Sequence, residues 1–524
     1  MLLNYFKTAW RHILRGRLYS VLNIMGLAIG MAVALLIGLW VHDQVSYDRW
    51  LPGYQQAYQV KYNYNNNGEI RTQAQVCIPL ADAMKKDVPE IAYTAFAFGP
   101  SQYGSLTDVL EKNGKKLAPT VIIAGEDFLK IFRYRMIEGT ADEALRQSGC
   151  IVLTASTARA LFGNASAINR NLVYNGYSCK VTAVMQDIPR NSSLRFDCIT
   201  SFRDFASDGW VKAATTNWNH TFFTLYASLK PTVSYEQTAP KIAGLVKKYA
   251  PDTYRTFQQQ VVMQPLKDWH LYTEYKNGTA AGGLIDYVKM FTITGILVLL
   301  IACINFMNLS TARSEKRAKE VGIRKVAGSG RNALIIQFLT ESLLLTFIAL
   351  AISLLFVHWT LPAFNAITGA PIRIPWDNGI FWLLLVGYWL LTGLLSGSRP
   401  AFYLSSFQPV KVLKGALRVG ASAALPRKIL VVLQFTCSIA LIIGTIIVYK
   451  QIEYARNRPR GYDPNRLVAS PSGRINYEAF KREALQERIV SSMTIALSPA
   501  TDIYSHNTID NWPGRMPNEP LSLA

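Results

Sequence analysis

Between Val21 and Val41 the chain carries one unbroken apolar run whose only strongly polar member is Asn23. Wound as a helix, a run of that length crosses the roughly 30 Å of a bilayer's hydrocarbon. Lys7, Arg11, Arg15 and Arg17 precede it, as they would in a secretory signal. The run is too long for a signal core, ends in Trp40-Val41-His42-Asp43 and is followed by no small-x-small cleavage site, so it reads as an uncleaved anchor. Similar runs at about Met290–Leu309, Phe338–Trp359, Gly379–Ser398 and Ile429–Val448 bring the number of spans to five. The chain as a whole is 50% hydrophobic with a mean hydropathy of +0.13, so a substantial polar part accompanies the spans.

Basic residues fix an orientation. Residues 1–20 hold four Lys or Arg, 311–332 hold seven and 398–428 hold six, against the single Arg373 in 360–378. Basic flanks favour the cytoplasmic side, so the N-terminus is expected inside. These segments supply most of the formal net charge of +21, which therefore reflects topology and contact with anionic membrane lipid rather than nucleic-acid binding. The plan that follows is a cytoplasmic N-terminus (1–20), a first span (21–41), an outer domain (42–286) and spans at 290–309, 338–359, 379–398 and 429–448. Inner segments lie at 311–332 and 399–428, and a partial second outer domain at 450–524.

The fold class expected is a multi-span α-helical membrane protein with a large α+β extracytoplasmic domain inserted between its first two transmembrane helices. Asn67-Gly68, Asn113-Gly114 and Asn175-Gly176 each separate strand-like runs and suit tight hairpin turns. Around the third, Asn171–Tyr174 and Tyr177–Val184 read as strands, with Val181, Ala183 and Met185 on one face. Ile78–Lys86, Ser156–Leu161 and Thr238–Tyr249 read as helices, and Gly278–Gly283 as a flexible joint. Cys77, Cys150, Cys179 and Cys198 fall in this domain at spacings that match no metal site; an oxidising compartment would permit disulfides, and buried free thiols are the alternative.

The flank of the first span is echoed after the fifth. Gln44-Val-Ser-Tyr47-Asp-Arg49 returns as Gln451-Ile-Glu-Tyr454-Ala-Arg456, with a Gly upstream (Gly38, Gly444) and Gly-Tyr downstream (Gly53-Tyr54, Gly461-Tyr462). A parallel internal duplication would account for it, with a second copy running to about residue 800 and the start of a second outer domain at the C-terminus. In that start, Leu467–Ser470 reads as a strand and Tyr477–Ile489 as a helix.

The segment between the second and third spans is a charged helix by its spacing. Glu315 with Lys319, and Glu320 with Arg324, stand four apart with the acid first, and Ala318, Val321 and Ala327 offer a weak apolar side before Gly328-Ser-Gly330 ends it. A short charged helix between two spans would suit a permease that receives force from a cytoplasmic motor, whereas charge alone favours a solvated basic loop that obeys the topology rule.

A run of motifs changes that reading. Arg317-Ala-Lys-Glu320-Val-Gly322-Ile-Arg324-Lys325-Val-Ala-Gly328 is followed by Gln337-Phe-Leu-Thr-Glu341-Ser342, Arg399-Pro400-Ala401, Pro409-Val-Lys411-Val-Leu-Lys414-Gly415 and Arg427-Lys-Ile-Leu-Val-Val-Leu-Gln434-Phe435. In the outer domain stand Ile151-Val-Leu-Thr154, Leu161-Phe-Gly163 and Val181-Thr-Ala-Val-Met-Gln-Asp187-Ile-Pro189-Arg-Asn191-Ser-Ser193. Together these resemble the FtsX/MacB-type ABC transporter permeases with a MacB-type periplasmic core domain, over nearly the whole chain. The resemblance implies that residues 313–328 dock on a separate ABC ATPase, with Arg313, Arg317, Glu320, Gly322, Arg324 and Lys325 as the coupling positions. It implies a permease subunit of the bacterial inner membrane, dimeric or pseudo-dimeric, in which cytoplasmic ATP hydrolysis moves a periplasmic domain. ATP and Mg would sit on the partner ATPase and no cofactor on this chain. Efflux or lipoprotein handling, with a periplasmic adaptor or outer-membrane channel as partner, is the leading expectation; the alternative is mechanical regulation of a cell-wall hydrolase or sensor kinase.

Asn305, Asn308, Glu341 and Gln434 are the notable polar residues in or near the spans; Glu341, near the inner end of the third span, is expected to be structural rather than part of an ion path. Gly26 and Gly30 form a GxxxG pattern that permits close helix packing. GxxxxGK[ST], HExxH, GxSxG and paired CxxC motifs are missing from the sequence, so no catalytic centre is expected.

Overall fold

The computed structural model describes residues 17–459 except 67, 100–107, 207–208 and 407–420, together with 463, 466–469, 476–496, 507–509 and 521–523. Two compact units emerge, one built from residues 1–45 and 285–462 and the other from 46–284 with 463–524. The chain is a multi-span α-helical protein with an α+β domain inserted between its first two apolar helices.

In the first unit, among the described residues, five helices are long and apolar enough to cross a membrane: α1 (Arg17–Val45), α2 (Leu284–Val326), α3 (Arg331–Thr368), α4 (Gly379–Ser405) and α5 (Ala421–Asn457). Each exceeds the apolar run that announces it, because a helix already begun continues through polar residues of adequate propensity until a breaker stops it. The charged segment after the second span is accordingly not a separate short helix. It continues α2 without interruption to Val326.

α1 to α4 share a core of Ile24, Leu27, Met31, Ala302, Phe306, Leu345 and Leu385. Small residues bring the backbones together: a side chain at Gly30 would run into Ala302, and one at Gly397 would come within 2.6 Å of Ser342 Cβ. α5 differs, with none of its span buried against 28% for α1.

The second unit is organised on one large sheet. Its strands are β1 (Ala57–Asn66), β2 (Glu69–Gln73), β3 (Ile91–Phe98), β4 (Leu110–Lys112), β5 (Lys115–Leu117), β6 (Val121–Ala124) and β7 (Met136–Glu138). They continue with β8 (Cys150–Thr154), β9 (Asn171–Tyr174), β10 (Tyr177–Met185), β11 (Cys198–Ser201), β12 (Leu225–Leu229) and β13 (Gln260–Pro265). The order is β13-β1-β12-β3-β6-β11-β8-β10-β9-β4-β5, with β2 beside β1 and β7 beside β10. Pairing is antiparallel except for β8 with β10 and β6 with β11, which are parallel.

Alternation along the strands sorts side chains onto two faces. Phe96 and Phe98 join a core under the helices Pro79–Asp87 and Tyr235–Ala243, whereas Ala95 and Ala97 join an opposite core built on Phe128, Phe132 and Tyr226. Toward the other end, Ile151, Leu153 and Val181 pack with the helix Ala155–Phe162.

The Asn-Gly turns at 113–114 and 175–176 have positive φ at both residues, as a primed hairpin turn requires, and Gly68 has φ +91° beside residue 67, which lies outside the described residues. A fourth such turn stands where a flexible joint was expected. Asn277 (φ +50°) and Gly278 (φ +78°) close a hairpin of β14 (Glu274–Lys276) and β15 (Thr279–Gly282), and the Asn63 amide donates to Gly278 O at 2.8 Å.

The expected helix Thr238–Tyr249 is two helices, Tyr235–Ala243 and Leu245–Tyr249, divided at Gly244. Residues 467–469 are not a strand, and Ser470 lies outside the described residues. Tyr477–Gln486 is a helix, and β16 (Asn507–Ile509) pairs with β17 (Leu521–Leu523). All six cysteines are free thiols, and the four of the outer domain are buried.

Candidate coupling site

The end of α2 is shaped by one glycine. Gly328 takes φ +94°, the Ser329 N–H donates to Arg324 O at 3.0 Å and the Gly328 N–H to Lys325 O at 3.1 Å. This is the Schellman closure, and it satisfies carbonyls that the helix end would otherwise orphan. Gly330 then caps the start of α3, so the chain reverses within a few residues.

Around this turn the expected coupling residues divide. Gly322 is buried, and beside it Val321 packs with Leu334 and Phe338 of α3 and with Ala401 and Leu404 of α4. Lys325 Nζ donates to Ser405 O at 2.7 Å, placing a cation at the C-terminal end of α4, where the helix dipole favours positive charge. Arg324 is half-buried. Arg313, Arg317 and Glu320 lie on α2, but their side chains are outside the described residues, as are both ends of the Glu315–Lys319 pair and all of Pro409–Gly415.

The apolar side expected from Val321 and Ala327 is not a single face, since Val321 is buried and Ala327 exposed. Six residues along a helix turn through about 240°, which carries them to different sides. Sequence reading missed the residues that do point out, Ile323 (61% exposed) and Val326 (68%). The available signal was two large apolar residues three apart in an otherwise charged stretch.

The outer-domain motif ending at Ser193 also has a physical account. Asp187 Oδ1 accepts from Ser156 N at 2.8 Å, satisfying an orphan donor in the first turn of the helix Ala155–Phe162. Asn191 Nδ2 donates to Ser46 O at 3.2 Å, and Asp48 accepts from Ser193 N at 2.7 Å and from the hydroxyls of Ser192 and Ser193. Asp48 is buried with φ +60°; burial raises its carboxyl above the ordinary value while the Ser193 and Ser192 hydrogen bonds pull it back. This latch holds the first residues of the domain to the loop before β11.

A second clasp lies nearby in sequence. Tyr47 stacks on His270 with centroids 3.4 Å apart and rings 3° from parallel, and burial pushes the imidazole down to about 4. Lys61 Nζ donates to Tyr275 OH at 2.9 Å and is itself pushed down to about 8 by burial. Among the described residues, no group of three or more His, Cys, Asp or Glu is placed to hold a metal.

Two family models match this chain, a MacB-like periplasmic core domain over residues 20–245 and an FtsX-like permease C-terminal domain over residues 292–409. The ABC transporter permease YknZ of Bacillus subtilis (strain 168) is 30% identical over 131 residues, 24% of this chain and 32% of the relative's own length. Similar solved structures include a permease-protein domain from Porphyromonas gingivalis (19% identity, 46% of this chain and 98% of that one, TM-score 0.35). The periplasmic region of MacB from Actinobacillus actinomycetemcomitans follows (14%, 41% and 92%, TM-score 0.30). The extracellular domain of YknZ from Gram-positive bacteria is a third (11%, 39% and 99%, TM-score 0.28).

Proposed function

The chain belongs to the FtsX/MacB-like ABC transporter permease family, and from that premise we propose that it receives force from a separate cytoplasmic ATPase at the α2–α3 turn and passes it to its extracytoplasmic domain. One observation carries the reading. The tip of α2 leaves Ile323 and Val326 uncovered while its opposite side is packed by Val321 and tied to α4 by Lys325. A partner seated on the two apolar residues would therefore push on α2, α3 and α4 together.

ATP and Mg belong to the partner in this reading, and the cargo is an envelope substrate exported or handled outside the membrane. The basic segments support an orientation with the N-terminus inside, which turns the α2–α3 turn toward the motor, and the family resemblance supports a bacterial inner membrane. A periplasmic adaptor or outer-membrane channel would complete the assembly.

The test is co-purification of the full-length chain from its own membranes, with and without Ile323→Asp combined with Val326→Asp. The wild type should bring down an ABC ATPase and the variant at least tenfold less. Equal recovery, or no ATPase with the wild type, would sink the proposal.

A further inference from the structure

Asn23 interrupts the first apolar run, and nothing in the coupling site uses it. It is 2% exposed, and neither its amide nitrogen nor its amide oxygen has a hydrogen-bond partner. An orphan amide inside a span is costly, because hydrocarbon offers it nothing to bond. A second one stands on α2, where Asn308 Oδ1 is buried and equally without a partner.

The register of the two helices, carried on past its observed contacts, leads from one amide toward the other. α1 and α2 run antiparallel, with Ile37 against Gly295 and Gly30 against Ala302; four residues back from Gly30, Gly26 faces the Asn305 amide at 3.5 Å from where a side chain would begin. Each turn down α1 is matched by a turn up α2. One more step of three residues on each helix would bring Asn23 to the level of Asn308. The glycines let the backbones approach, and a carboxamide is self-complementary, its NH₂ donating and its C=O accepting.

We propose that Asn23 and Asn308 are a positioning pair whose amides bond to each other in a second state of the membrane bundle, reached by a small slide or rotation of α1 on α2. The structure shows the unpaired setting. Two discrete settings of one packed seam are what a switching element requires, since packed interfaces move between alternatives rather than deforming continuously. Pairing itself rests on the seam geometry; only the claim that ATP drives it rests on the coupling reading.

The test uses the full-length chain in membrane vesicles from its own host, with Asn23→Cys and Asn308→Cys combined and each alone as a control. Oxidation by copper phenanthroline is followed by mass spectrometry of the joined peptides. The double variant should form the 23–308 disulfide at least threefold faster with ATP than after ATP depletion, and neither single variant should yield it. No disulfide under either condition overturns the register. Equal rates under both overturn the switch. The coupling reading is judged separately: if Ile323→Asp with Val326→Asp releases the ATPase while the disulfide ignores ATP, the pair fails and coupling stands. If no ATPase accompanies the wild type, the disulfide yield without ATP still judges the register.

Discussion

The two echoed flanks, Gln44 to Arg49 and Gln451 to Arg456, end their helices differently. α1 stops at Val45, and three residues on Asp48 turns into the left-handed region to meet Ser192 and Ser193. α5 runs on through Ala455, which stands where Asp48 does in the first flank, and finishes at Asn457. Alanine is the best helix former, whereas aspartate competes with the helix by bonding backbone N–H groups nearby. Tyr47 is stacked on His270, while Tyr454 is 73% exposed. Within the spans the contrast repeats, α1 being packed by its neighbours and α5 uncovered. Similar flanks thus reach different ends because one of them meets complementary groups.

Asp48→Ala should erase the difference and have the largest effect. It removes the acceptor of the Ser193 N–H and places alanine in a left-handed position, for a loss of about 2–4 kcal/mol. Thermal unfolding and limited proteolysis of the full-length chain would show it, with Asp48→Asn retaining most of the stability; an unchanged melting curve would mean that the latch does not matter. Gly30→Leu comes next, at about 1–3 kcal/mol, because the new side chain collides with Ala302. Gly444→Leu on α5, with no atom within 4 Å of its added carbon, should stay within about 0.5 kcal/mol. Equal losses at the two glycines would break the contrast between the helices.

The smallest effect is a pH dependence at the Tyr47–His270 stack. The folded imidazole titrates near 4 rather than at the ordinary 6.5, so between those values the unfolded chain binds more protons and stability falls as pH falls. The ring is only half-buried, and solvent screening leaves about 1 kcal/mol of that dependence. Melting temperatures at pH 7 and pH 5 should diverge in the wild type and converge in His270→Phe; a divergence that persists would assign the slope to other groups.

Apolar runs and Asn-Gly pairs were readable because each has a local cause: bilayer thickness in one case, positive φ in the other. Gly328 was readable as a stop for the same reason. The fourth hairpin, at Asn277-Gly278, carried an equally clear signal, but neighbouring glycines suggested slackness, and the Asn63 contact that orders it comes from 215 residues away. Lys325 could be placed in the coupling segment but not on Ser405, because that bond joins residues 80 apart. Asp48 looked like any polar residue after a span. Its role depends on Asn191 to Ser193, more than 140 positions later.

α2 has 43 residues and no proline, so it runs for about 65 Å without a proline kink. Such a rod has the geometry of a lever. A tilt of about 5° around its middle carries each tip through about 3 Å in opposite directions, enough to exchange one set of side-chain contacts for another. In the proposed coupling, a small rocking at Ile323 and Val326 would arrive at Leu284 reversed in direction and undiminished in size.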